Sequence, residues 1–353
     1  MTTLRLRFGL GWLLLLALVD GVVIAVFSAG VALALFTDVF DNTDNAFGTD
    51  TLNPPTGLTA SVIGSDIQLD WTPTADTYAT GYEVQRGTDS GGPYGEIGTV
   101  TPYSITTYTD DTVVPGTRYY YVLQTYFQNW LSVYSNEVSA SVIAFRAGAS
   151  AGAPSGTLSL TINKPSGTVE GDVMIASIAV RPDTAAITVP ADWALVRRVD
   201  NANPNANSLA VYYKVAGASE PADYTWTFST STGSAGGIQS FLGADQGNPI
   251  SVENGQNTAS GLTHATPSVI TTVNNTMLVT SHAFTSSATW TPPGGMTEVF
   301  DVASETVPAA SGISIEGNCV IQAAAGATGA KTATASNDAD VGNTHILALK
   351  PAP

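Results

Sequence analysis

The side chains best suited to chemistry at neutral pH are few: His264, His282, His345, one cysteine, Cys319, and a scatter of carboxylates. The histidines lie far apart, and no two stand at the short spacing that presents paired metal ligands. His282 follows a strand-like run and His345 precedes Ile346-Leu347, so sheet or rim positions account for both. Cys319 opens the apolar stretch Cys319-Val320-Ile321 with no local base to activate it. It reads as a buried thiol, with intermolecular pairing as the alternative. No Gly-rich phosphate loop and no strand-to-helix nucleophile elbow is recognised. Carboxylates could supply a glycosidase pair. Many, however, occupy turn positions: Asp110-Asp111, Asp183, Asp200, Asp338 and Asp340. Asp38, Asp41, Asp44 and Asp50 cluster in sequence, as do Asp338 and Asp340, which makes calcium a weak candidate; no loop has the full calcium spacing. No other cofactor and no catalytic residue is assigned, and a non-enzymatic protein is expected. The candidate contact surface is a row of aromatics, Trp130, Trp193, Tyr212 and Trp290, useful for carbohydrate only if exposed and coplanar.

Charge narrows the partners. Twelve basic residues against twenty-nine acidic ones leave a formal net charge of -17. Such a surface repels phosphate backbones, so no nucleic acid is expected. The same repulsion confines membrane contact to the amino-terminal segment. With one cysteine no intrachain disulfide can form.

That segment opens with Arg5 and Arg7, continues through the apolar run Phe8–Phe36, interrupted by Asp20, and carries Ala32-Leu33-Ala34 near its end. A basic end, an apolar core and a small-x-small triplet are the parts of a secretory signal, with cleavage before Leu35. The run is also long enough for a retained helical anchor, and both readings stand. Phe36-Thr37-Asp38, followed by an Asn-containing stretch to Phe47-Gly48-Thr49 and Leu52, resembles the precursors of camelysin and biofilm-matrix-fibre proteins. The resemblance implies export by a specialised signal peptidase. It stops near residue 52.

Residues 53–146 carry about seven short strand signals, the count of an immunoglobulin-like sandwich. Ile67, Leu69 and Trp71 alternate onto one face. The segment resembles a fibronectin type III domain in Pro54-Pro55, Trp71, Tyr82-x-Val84-x-Arg86, Pro115-Gly116-Thr117-x-Tyr119 and Tyr134-Ser135-Asn136-Glu137-Val138. The resemblance makes Tyr119 a corner tyrosine. Gln124 and Thr125 depart from the family's small apolar residue. Phe127, Trp130 and Tyr134 crowd one loop and read either as core or as a contact surface.

Residues 147–156, Ala-Gly-Ala-Ser-Ala-Gly-Ala-Pro-Ser-Gly, read as a linker between domains. Beyond it, in 157–353, β signals resume. In Tyr224-Thr225-Trp226-Thr227-Phe228 three aromatics share one face. The region also looks duplicated: Gly171-Asp172-Val173-Met174 parallels Asn274-Asn275-Thr276-Met277, and Val189-Pro190 parallels Pro292-Pro293. Tyr213-Lys214-Val215 parallels Gln322-Ala323-Ala324 more loosely. Two sandwiches in tandem or one compound sandwich would explain this. The thin Ala323–Ala335 stretch favours the compound form. Gly171-Asp172-x-Met174, Val189-Pro190-x-x-Trp193, Tyr213-Lys214-Val215-Ala216 and Ala325-Gly326-Ala327-Thr328-Gly329 resemble jelly-roll-like domains of bacterial surface and phage structural proteins.

The expected fold class is therefore all-β: a signal or anchor helix (1–34), an acidic segment (35–52), a fibronectin type III-like sandwich and a larger jelly-roll-like sandwich. The expected function is an exported structural or adhesive protein, meeting an extracellular protein or polysaccharide surface and capable of self-assembly. A carbohydrate-binding accessory protein and a secreted hydrolase are the rivals.

Overall fold

A computed structural model describes residues 16–19, 22–25 and 51–353, apart from 202–206, 338 and 353. The described residues are all-β, with no helix among them. They fall into two compact units, Met1–Thr51 and Leu52–Pro353. Within the first, β1 (Leu16–Val19) and β2 (Val22–Ala25) pair antiparallel. The leader helix is thus not what these eight residues form. The rest of the leader, its Ala32-Leu33-Ala34 triplet and the acidic segment with Asp38, Asp41, Asp44 and Asp50 lie outside the described residues. Among the described residues, no helix is long and apolar enough to cross a membrane.

The second unit begins with a sandwich of β3 (Thr56–Ile63), β4 (Asp66–Thr72), β5 (Gly81–Gly87), β6 (Gly95–Val100), β7 (Thr107–Asp110), β8 (Arg118–Phe127), β9 (Trp130–Leu131) and β10 (Val138–Ser141). One sheet runs β3-β4-β7, the other β10-β8-β5-β6, with β9 paired to β8. Alternation in β4 drives Ile67, Leu69 and Trp71 inward, where Trp71 meets Tyr82 edge-on at 5.3 Å. The sheets are also tied by charge. Asp110 on β7 accepts from Arg86 at 2.7 Å and from the buried Tyr121 hydroxyl at 2.9 Å. Burial alone would raise the Asp110 carboxyl, but hydrogen bonds from Thr112, Arg86 and Tyr121 hold it below the usual range. Tyr119, near the start of β8, ties back the corner that precedes it, its hydroxyl accepting from the Val114 N–H at 3.2 Å.

No linker follows. Val142 and Ile143 are buried, and the chain enters β11 (Ala144–Asn163) directly. The stretch expected as a linker, 147–156, is the middle of this strand and pairs with β16 (Asp223–Leu242). Its small residues serve close packing, not flexibility. A Cβ at Gly148 would meet Val299 at 2.3 Å, and one at Gly152 the Ala303 carbonyl at 2.0 Å. On the other face Ala149, Ala151 and Ala153 pack into an apolar core.

Between these long strands lie β12 (Val173–Arg181), β13 (Ile187–Thr188), β14 (Ala194–Asp200) and β15 (Ser208–Val215). After them come β17 (Ile250–Gly261), β18 (Thr263–Ala265), β19 (Ile270–Thr271), β20 (Thr276–Phe284), β21 (Trp290–Thr291), β22 (Thr297–Ala303), β23 (Ser314–Gln322), β24 (Gly326–Ala327), β25 (Thr332–Ala335) and β26 (Asp340–Leu349). The strand orders repeat. One sheet runs β11-β16-β12-β15-β14 and the other β17-β26-β20-β23-β22. Each also carries a small partner sheet. In the first half the far ends of β11 and β16 pair, with β13 beside β16; in the second it is β18-β25-β21.

Register corrects how the halves correspond. Met174 pairs with Lys214 and Ser240, and Leu278 pairs with Val320 and Ala348. Met174 therefore occupies the place of Leu278, one residue away from the Met277 suggested by sequence. That slip reverses the face: Met174 points into the first half's own interior, Met277 into the seam between halves. Likewise Tyr213 matches Cys319, not Gln322, since they pair with the matched residues Ile175 and Val279. The two large sheets share one core containing Val173, Ile175 and Phe241 against Val279, Ile315 and Leu347. The matched residues Ser177 and Ser281 meet there, their hydroxyls 2.6 Å apart. Like meeting like is the signature of a two-fold, isologous interface, here within one chain.

Candidate functional site

The four aromatics proposed as a row are not one. Trp193, Tyr212 and Trp290 are buried, at 5 %, 5 % and 7 % exposure, while Trp130 is 63 % exposed. Trp193 packs on Tyr224 and Trp226 in the first half's core, Tyr212 lies in that same core, and Trp290 packs on Phe284 and His264 in the second half. Strand alternation turns them inward, so they offer no sugar-stacking surface.

What the structure exposes instead is local to the first sandwich. A two-residue turn, with Gln128 at positive φ, joins β8 to β9 and pairs Phe127 with Trp130. After it Trp130, Leu131, Val133 and Tyr134 all stand open. Tyr78 packs edge-on against Phe127 at 5.6 Å, and Tyr94 against Tyr134 at 5.5 Å. The hairpin is fixed from below. The Tyr134 hydroxyl donates to Gln85 at 3.1 Å, and Gln85 donates to Gln124 at 2.8 Å. The family-departing Gln124 thus holds this loop, its side-chain amide also donating to the Ser132 carbonyl at 2.5 Å, while Ser132 Oγ accepts from the Thr125 backbone N–H at 2.9 Å. Contiguous exposed apolar side chains on a braced loop are the usual form of a protein contact site.

The histidines form a different feature. Across the inner face of the second half's large sheet run Gln256, Thr344, His282, Glu316 and Asp301, one per strand. The same row in the first half reads Ala151, Gly236, Ile178, Ala210 and Arg198. His282 Nδ1 lies 3.2 Å from Glu316 Oε1, with both side chains fully buried. His282 Nε2 faces the Lys331 carbonyl at 3.1 Å. A carbonyl only accepts, so Nε2 carries the ring proton that faces Lys331, while Nδ1, though close to the carboxyl oxygen, makes no hydrogen bond.

His264 lies nearby on β18, hydrogen-bonded to Thr258 Oγ1 at 2.5 Å. Burial, with His282 adding to it, pulls its pKa down to about 4. Its first-half match is Leu160, since His264 pairs with Ala333 as Leu160 pairs with Trp226. A histidine whose folded pKa is depressed costs stability as pH falls from its unfolded value toward its folded one. His264→Leu is therefore expected to gain on the parent chain between about pH 6.5 and 4, by roughly 3 kcal/mol at most. Paired thermal melts across that range test this, and a gap that does not widen in acid would reject it.

The third histidine, His345, meets Glu253 at 3.0 Å. Glu253 also takes two hydrogen bonds from Arg197. Hydrogen bonding from His345 and Arg197 outweighs burial and draws the Glu253 carboxyl down to about 2. Arg197 belongs to the first half and Glu253 to the second, so this is a clamp across the seam. Cys319 is buried in the shared core, its thiol pushed up to about 12 by burial. Gly148-Ala149-Ser150-Ala151-Gly152 has the letters of a nucleophile motif but lies within β11, not at a strand-to-helix turn. Asp340 accepts from Ser286 at 2.7 Å, and Asp338 lies outside the described residues. Among the described residues, no three His, Cys, Asp or Glu side chains converge as a metal site.

The three-plus-four strand order and the Tyr119 corner define the first sandwich as fibronectin type III-like. Comparison with solved structures returns domains of that kind. A Fn3-like protein from Clostridium thermocellum is 36% identical over 26% of this chain and 92% of that one, with a TM-score of 0.24. A fibronectin type III domain derived from human KIAA0970 protein is 18% identical over 26% of this chain and 73% of that one, with a TM-score of 0.23. The FN1-FN3 domains of chicken CNTN1 are 12% identical over 55% of this chain and 64% of that one, with a TM-score of 0.23. With such TM-scores the assignment rests on strand order. No family model and no curated protein matches the chain.

Proposed function

We propose that this chain is an exported, non-enzymatic structural or adhesive protein of the cell surface or extracellular space, a matrix or appendage subunit. The observation that carries this reading is the braced, open hairpin of Trp130, Leu131, Val133 and Tyr134. The signal-like leader and the acidic composition support export. Each half of the duplicated region is jelly-roll-like on this reading. Its strands alternate between a large and a small sheet as in a two-Greek-key roll, except that β14 and β22 join the large sheets. A protein partner is favoured over polysaccharide at the hairpin, because the other three candidate aromatics are buried.

The test is a binding panel of cell-surface and matrix fractions, with Trp130→Ser and Val133→Ser as the variant. Both residues are exposed, so the fold is expected to survive. Retention should fall about tenfold or more if the hairpin is a hot spot. Equal retention by parent and variant would remove the contact role. Size measurement on the same samples tests assembly, and a chain lacking residues 35–52 that still polymerises would exclude strand donation by that segment.

A further inference from the structure

We propose that a cavity at one end of the first half binds a neutral saccharide unit through polar groups, separately from the hairpin on the first sandwich. The cavity measures about 560 Å³ and is lined by Pro190, Asp192, Lys214, Glu220, Asp223 and Tyr224 among others. That volume suits a small ligand.

Its wall holds a buried lysine. The Lys214 side chain is 9 % exposed and that of Glu220 5 %, with Nζ 2.9 Å from Glu220 Oε2. Glu220 is fully engaged. Its Oε1 accepts from the Gly217 N–H at 2.7 Å, and its Oε2 also accepts from the Tyr224 hydroxyl at 2.7 Å. The Lys214 ammonium also lies over the Tyr224 ring at 5.6 Å. Its charge is neutralised, but an ammonium has three donors. The next acceptor, Asp192 Oδ2, is 3.6 Å away, beyond hydrogen-bond length, and Asp192 is 81 % exposed at its side chain. Asp223 is a second open carboxylate.

The cavity therefore offers one donor and two acceptors around a neutralised ion pair. An anionic ligand would meet the carboxylates of Asp192 and Asp223, and an ammonium ligand, with donors only, would leave the spare donors of Lys214 unpaired. A molecule with neighbouring hydroxyls can accept from Lys214 while donating to the carboxylates. That is the chemistry of a sugar ring. The duplication supplies a control. The place of Lys214 is held by Val320 in the second half. That of Asp192 is held by Gly295, also at positive φ two residues before its edge strand. The sandwich thus folds without this ion pair, so the fold does not demand the groups.

Saturation-transfer NMR of the full chain with methyl glycosides of glucose, galactose, mannose and N-acetylglucosamine tests the site. At least one glycoside should receive saturation. Asp192→Gly, which installs the second half's residue at a positive-φ position, should weaken that binding about tenfold or more by removing one charge-assisted hydrogen bond. Lys214→Val with Glu220→Gln should weaken it similarly without leaving a buried charge. No saturation of any glycoside, unchanged affinity in folded Asp192→Gly, or preference for methylammonium or inorganic phosphate would each overturn the assignment. Failure here leaves the hairpin reading intact, since the Trp130 variant does not touch this cavity.

Discussion

Replacing His282 with isoleucine should destabilise the chain by about 3–5 kcal/mol, and adding Glu316→Ala should recover most or all of that loss. The two substitutions install Ile178 and Ala210, the residues that the first half places at the same two positions. The single change leaves the Glu316 carboxyl group in an interior with no exposure and without the imidazole that lies beside it. Asn318 still donates to Glu316 at 3.0 Å, but Glu316 Oε2 has no protein partner even in the parent. The double change removes both desolvated groups. Buried ion pairs replaced by apolar residues are often neutral or stabilising. Denaturant unfolding of the parent, both single variants and the double gives the coupling directly. If the double variant loses as much as the sum of the singles, the pair is not an isolated buried couple. A double variant more stable than the parent would mean that this chain retains the polar row at a cost to stability.

The first sandwich was readable because its signals are local. Alternation in Ile67-Gln68-Leu69-Asp70-Trp71 and the Pro115-Gly116-Thr117-x-Tyr119 corner each report their own strand and turn. The duplicated region was readable as a repeat but not in register. Gly171-Asp172-Val173-Met174 aligns by letters with Asn274-Asn275-Thr276-Met277, yet pairing across the sheet shifts it by one residue. Sheet faces follow from non-local pairing, which a single strand's sequence does not carry. The same holds for residues 147–156. Small residues look alike whether they loosen a linker or let β22 pass close over β11, and only the crossing strand distinguishes the two. The aromatics failed as a site for a related reason. Trp193, Tyr212 and Trp290 look alike as sugar platforms or core rings until the small sheets cover them. The His282–Glu316 pair had no sequence signal, because its members lie on neighbouring strands joined by a long excursion. Aligning the halves in their structural register would have exposed it, since ionisable residues then fall opposite Ile178 and Ala210.

Phe300→Ala is expected to cost about 3–5 kcal/mol, a large effect for a residue on an edge strand. Its ring, 6 % exposed, enters the seam between the large sheets. Two glycines make room for it. A Cβ at Gly317, its partner on β23, would meet the ring at 2.3 Å, and a Cβ at Gly237 on the facing sheet would meet it at 2.4 Å. Gly237→Ala should therefore destabilise by about 1–3 kcal/mol through overpacking. The ring is trapped from both sides and cannot move aside cheaply. Combining Gly237→Ala with Phe300→Leu should cost less than the sum of the two, because the smaller side chain vacates the space that the new methyl needs. Strict additivity would show that ring and glycine do not share that space. The Ser177–Ser281 contact and the Arg197–Glu253 clamp lie in the same seam. Hydrogen exchange in the Phe300→Ala variant should therefore rise in β12 and β20 together, while β4 and β8 of the first sandwich keep their protection. Exchange rising in β20 alone would mean that the halves open independently and that the shared core does not couple them.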